Sequence, residues 1–265
     1  LYLYGNWTNN IGTSAFDEGN GTIQFVGTGV QTISSAATAG TETFYNVILD
    51  NNFDTATSND LIATGTLTVN ATRNVNIDGA GYIVAGKKLS HNGNLTIANN
   101  GQFVQIDETN TTNDGTYTGT KFQVNRTAQV KHYDYVYWGS PVKDFPVASL
   151  PNTNRYEWST LQANANGTTG NWVTPTTPTM TAGKGYIARA SNGASTAQAM
   201  NLVFQGEPNN GQFTFPINRG TYTGPDYDAD PTNATNALTT QRDDNWNLLG
   251  NPYPSAIDAE KFLVL

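Results

Sequence analysis

Apolar and polar side chains alternate in short runs through the first half of the chain. Val47 and Leu49, Leu67 and Val69, Val75 and Ile77, and Leu95 and Ile97 each sit two residues apart, with a polar residue between in all but the first pair. A period of two is the mark of a strand with one buried face. The pattern predicts strands at 22–26, 44–49, 65–69, 74–77, 82–84, 94–97 and 102–106. Asn/Gly turn text separates them, as at Asn20-Gly21, Asp78-Gly79 and Asn92-Gly93. Strands recurring every ten to twenty residues or so fit a β-solenoid, with each coil stacked on the last. An Asn at a coil corner tolerates the left-handed region and bonds its own backbone. An ordinary antiparallel sandwich is the alternative for these strands.

From about residue 131 the text changes. Aromatics become dense (Tyr133, Tyr135, Tyr137, Trp138, Phe145, Tyr156, Trp158, Trp172) and prolines frequent. Strands are expected at 133–138, 155–159, 171–174, 185–189, 201–205, 212–216 and 245–249, enough for a sandwich or jelly roll. Two aromatic runs end in Gly-x-Pro: Tyr135 to Pro141 and Trp246 to Pro252. Gly and Pro both end strand pairing, so the two phrases read as matching strand ends. Trp138 and Trp246 read as buried. Ser255 reads as the N-cap of a short helix from Ala256 to about Phe262, burying Ile257 and Phe262.

The chain is therefore expected to be all-β: a parallel β-helix-like solenoid over 1–130, then a jelly-roll-like β-sandwich over 131–265. Its 265 residues allow one large or two modest domains, and an aromatic share of 11% argues against disorder. A net charge of −8 makes nucleic acid an unfavourable partner. With no cysteine, disulfides, thiolate catalysis and cysteine-zinc sites are excluded. There is no signal-peptide pattern and no apolar run long enough for a transmembrane segment. Both ends read as cut from a longer chain.

Candidate chemistry is sparse. Asp226, Asp228 and Asp230 alternate in a loop and form the candidate calcium site; a solvated acidic loop is the simpler reading. The EF-hand pattern is absent, because Pro231 stands where its glycine belongs. His91 and His132 lack metal-ligand spacing and read as surface or turn residues. Lys184 reads as a turn residue before the Tyr186 strand, and Glu207 as an acid with no partner carboxylate in the sequence. Exposed rings on a β-sandwich can stack on sugars, and Trp158 and Trp172, with Trp7, are the candidate glycan contacts.

Four phrases carry a resemblance: Tyr137-Trp138-Gly139-Ser140-Pro141-Val142, Gly183-Lys184-Gly185-Tyr186-Ile187, Phe204-Gln205-Gly206-Glu207-Pro208, and Trp246 to Ser255. Together with Gly5-Asn6-Trp7-Thr8-Asn9 and Phe44-Tyr45-Asn46-Val47 they resemble large secreted surface proteins of Bacteroidota. That resemblance implies an extracellular or cell-surface location and export through the type 9 secretion translocon. It also implies other domains in the same long chain, and no catalytic residues. Asp54-Thr55-Ala56 is similar to the O-glycosylation acceptor of these bacteria, which makes Thr55, in a stretch expected to be an exposed loop, the candidate attachment site.

The expected role is structural or adhesive and non-catalytic, with no cofactor beyond calcium. A glycan-binding module of a polysaccharide-degrading enzyme is the alternative. A catalytic solenoid is a third reading, for which residues 1–130 offer few clustered acids.

Overall fold

The computed structural model describes residues 1–12, 16–35, 42–55, 60–79, 81–109, 113–119, 121–163, 169–190, 196–220 and 246–263. Strands dominate, and the first half is a parallel β-solenoid of about 4 turns. Its first strands are β1 (Tyr2–Leu3) and β2 (Trp7–Asn9), then β3 (Thr22–Phe25), β4 (Ile33–Ser35) and β5 (Glu42–Phe44). The next coil holds β6 (Asn46–Leu49), β7 (Phe53–Asp54) and β8 (Leu61–Ala63). It is followed by β9 (Thr66–Val69), β10 (Asn74–Ile77) and β11 (Tyr82–Ala85), then β12 (Lys88–His91), β13 (Asn94–Ile97) and β14 (Gln102–Gln105). β15 (Asp114–Gly115) and β16 (Phe122–Val130) close the stack.

The coils β6–β8, β9–β11 and β12–β14 each lay one strand on each of three sheets, whose orders are β1-β3-β6-β9-β12-β15, β7-β10-β13-β16 and β5-β8-β11-β14, while β2 and β4 pair by themselves. Ladders of like side chains fill the interior. Ile23, Val47, Leu67 and Leu89 align on the first sheet. Phe53, Val75, Leu95 and Phe122 align on the second. All eight are essentially inaccessible to water. A fully buried side chain of this size contributes about 1.5–3 kcal/mol.

Two inward positions carry ionisable side chains. Glu42 heads the ladder Leu61, Ile83, Phe103 and accepts from Trp7 Nε1 at 2.9 Å and Asn9 Nδ2 at 3.1 Å. His91 ends the ladder Phe25, Leu49, Val69 and is fully buried rather than at the surface. A side chain on the inward phase of a strand is buried whatever its chemistry.

The corner asparagines work differently from the sequence reading. Their amides tie neighbouring coils together: Asn94 Nδ2 donates to Asn74 Oδ1 at 2.8 Å, and the Asn74 amide donates to Asn52 Oδ1 at 2.9 Å.

The second half begins where β16 outruns the solenoid. Later strands are β17 (Tyr135–Trp138), β18 (Arg155–Ala163), β19 (Thr169–Val173), β20 (Tyr186–Arg189) and β21 (Gln198–Gln205). β21 pairs antiparallel with β16 and so extends the second solenoid sheet. A separate antiparallel sheet runs β17-β20-β18-β19 and packs Trp138 against Phe204 of β21, ring centroids 6.2 Å apart. The second half thus borrows the solenoid's own sheet as its facing layer. Among the described residues the two independent sheets of a jelly roll are not seen.

Several local expectations are corrected. Residues 212–216 form no strand, and Leu249 makes only a single bridge, to Lys184. The helix is α1 (Ala259–Leu263), and it buries nothing. Its cap is Asp258, whose Oδ1 accepts from the Glu260 and Lys261 amides at 3.1 Å. Ile257 and Phe262 are exposed, as is Trp246 at 70%, because the segment passes along the surface instead of entering a sheet.

Candidate functional site

The antiparallel sheet has two unlike faces. Strand alternation and register put Val136, Trp138, Tyr186 and Ala188 on the inner face. On the outer face, Tyr137, Ile187 and Tyr156 form one row across β17, β20 and β18. Tyr135 and Arg189 form the row on one side, and Trp158 and Trp172 the row on the other. Five aromatic rings therefore occupy one surface. Tyr137 is 65% exposed, Tyr135 43% and Trp172 36%.

The rings support one another. Trp158 and Trp172 meet edge to face at 5.1 Å, and the Tyr135 and Tyr156 centroids are 6.3 Å apart. Trp158 is half-buried and its Nε1 donates to the Trp246 carbonyl at 2.8 Å. Gly170 is required beneath it: its φ is +96°, and a Cβ there would stand 2.8 Å from Trp158 Cζ2. Arg189 lies 5.1 Å from the Tyr133 ring, a cation–π contact at the rim. Rigid rings with two side-chain torsions each offer contact area at little entropic cost. Sugars present C–H faces that such rings cover, while Tyr hydroxyls take the sugar hydroxyls.

Trp158 and Trp172, paired across two strands, are thus brought together on an accessible sheet. The sequence reading missed Tyr135, Tyr137 and Tyr156 as members of the same face. Their i, i+2 spacing in 135–137 and 156–158 was the available signal. Trp7 belongs elsewhere: it packs on Phe16 and Phe44 and hydrogen-bonds Glu42.

Thr55 is buried, not in an exposed loop. Its hydroxyl donates to the Asp78 carbonyl at 3.1 Å and accepts from the Asp78 amide at 2.8 Å, joining two coils. Asp226, Asp228 and Asp230 lie outside the described residues. Among the described residues, no three His, Cys, Asp or Glu side chains gather where they could hold a metal. Glu207 is paired, with Lys143 Nζ 2.7 Å from its Oε1. Lys184 closes the turn through Ala182 and Gly183, its amide donating to the Thr181 carbonyl at 3.1 Å, and its Nζ reaches buried Glu157 at 2.9 Å.

His91 is the most perturbed histidine. Its Nε2 is 2.8 Å from the Lys121 carbonyl, so Nε2 carries the proton, and Nδ1 has no partner among the described residues. It stacks on Tyr117, and burial pushes its pKa below the ordinary histidine value. A single imidazole sealed among aromatics is a structural group.

No helix among the described residues is long and apolar enough to cross a membrane. No curated protein and no solved structure matches the chain. Residues 20–264 match a protein family described as a domain of unknown function, DUF8693. That span takes in most of the solenoid and the entire aromatic sheet, and the chain belongs to this family.

Proposed function

We propose that this chain is a structural and adhesive, non-catalytic segment of a large exported bacterial surface protein. The observation that carries the reading is mechanical continuity. Inward ladders run unbroken from coil to coil, and β16 then passes straight from the solenoid into the antiparallel pair with β21. A stack whose coils bond only their neighbours makes a stiff mount for whatever surface it carries. Single-molecule pulling tests this. The solenoid is expected to resist force as a unit and then release chain in steps of about one coil, 20 to 22 residues. Featureless extension at low force would contradict it.

A second reading has its own support: the outward rings of β17, β18 and β19 make this a glycan-binding module. Affinity electrophoresis in gels containing neutral polysaccharides tests it. Retardation lost in Trp158→Ala and Trp172→Ala supports the reading; unretarded wild-type protein in every gel argues against it.

A further inference from the structure

A cleft of about 450 Å³ opens where the solenoid meets the antiparallel sheet. The corner between β13 and β14, at Asn99, forms one side, and the edge strand β17, with Tyr137, forms another. Arg126 of β16 lines it, and no Asp or Glu does. In a chain with 21 acidic residues against 13 Lys and Arg, a cleft with one cation and no acid is selective by charge.

Arg126 is held in place but not neutralised. Nη1 donates to the carbonyls of Ala98 at 3.2 Å and Asn125 at 2.8 Å, and Nη2 donates to that of Pro254 at 3.3 Å. It forms no ion pair among the described residues, and its Nε–H has no acceptor there. Its position continues the inward phase of Phe122 and Val124, and its cross-strand partner is Leu202. An apolar side chain would suit that position, so the guanidinium costs stability where it stands. Burial lowers its pKa, yet an arginine remains cationic at neutral pH. Positioned by carbonyls, with charge and donors to spare, it suits a ligand's anionic oxygens.

We infer that this cleft binds a carboxylate-bearing saccharide, a uronic acid unit, with the carboxylate on Arg126 and the sugar ring against Tyr137. Tyr137 decides for a sugar over other carboxylates, because it belongs both to the cleft and to the outward aromatic face. The inference rests on the face being a saccharide surface and extends it to acidic sugars. The open edge of β17 also suits an extended peptide, so a peptide is the competing occupant.

Titration calorimetry of the whole chain with an oligogalacturonate, its methyl ester, a neutral oligosaccharide and a peptide with a free C-terminal carboxylate tests it. The acid is expected to bind about tenfold tighter than the ester, the scale of one charge-assisted contact. Arg126→Gln should bring the two to equal affinity. Arg126 also ties three carbonyls, so Tyr137→Ala, an exposed change, is the second variant and should weaken acid binding. The wild-type comparison of acid with ester needs no variant at all. Equal binding of acid and ester, no binding of either, or preference for the peptide would overturn the inference. Neutral-sugar binding that depends on Trp158 and Trp172 reports the aromatic face, and the acid-over-ester ratio reports the cleft, so the two readings fail separately.

Discussion

Gly139 and Gly250 stand back to back: a Cβ on Gly139 would lie 3.0 Å from the Gly250 Cα. The two Gly-x-Pro phrases therefore meet in space. Asn209, buried between them, donates from Nδ2 to the Ser140 carbonyl at 3.0 Å and the Pro252 carbonyl at 2.9 Å. Its own amide donates to the Pro141 carbonyl at 3.0 Å. One side chain thus fastens the end of β17 to the C-terminal segment.

Asn209→Ala should leave buried carbonyls unpaired and cost about 2–3 kcal/mol. Urea denaturation followed by tryptophan fluorescence measures this. A loss under about 0.5 kcal/mol would mean the clasp is incidental.

The ladder positions should separate cleanly from their neighbours. Leu67→Ala removes a fully buried side chain from the middle of a ladder and should cost about 2–5 kcal/mol. Thr68→Ala, on the opposite phase of the same strand, should cost under about 1 kcal/mol. Equal costs would contradict the inward–outward assignment.

His91 should impose an acid limit on stability. Its folded pKa is lowered by burial, so below about pH 6.5 the unfolded chain takes up a proton that the folded chain refuses. Stability is retained above that pH and falls as pH drops through it, by at most about 1.4 kcal/mol per unit. His91→Leu should flatten this slope between pH 7 and pH 5. An unchanged slope in that variant would assign it elsewhere.

Lys184 and Glu157 should be unequal partners to lose. Glu157 is the more buried, so Lys184→Met strands a carboxylate and should cost about 3–5 kcal/mol. Replacing both with Leu and Met should recover most of that loss, as thermal unfolding of the single and double variants would show.

The solenoid was legible because its signal is local and repeated. Val75 with Ile77 and Leu95 with Ile97 carry the period of two, and the strands Asn74–Ile77 and Asn94–Ile97 fall where that period places them. β12 was missed because Lys88, Ser90 and His91 hide an inward phase that only Leu89 advertises. The second half was less legible because its partners are remote in sequence. Nothing in Phe122–Val130 shows that it will pair with Gln198–Gln205, and the strand expected at 212–216 does not form. Trp246 has apolar neighbours yet packs outside, because flanking composition does not report which surface a loop crosses. Of the aromatic site, the Trp158–Trp172 pairing needed only two strands to be recognised, whereas Tyr137 joined it through a strand order no local pattern encodes.

Retention of protein-coated beads on polysaccharide-coated surfaces under flow tests the central claim, a stiff mount presenting an adhesive aromatic face, most directly. Wild-type beads are expected to hold on at least one polysaccharide at shear that removes uncoated beads, and Trp158→Ala/Trp172→Ala beads to wash off while the protein stays folded. Beads that never hold on any polysaccharide, or variant beads that hold as well as wild type, would contradict the account.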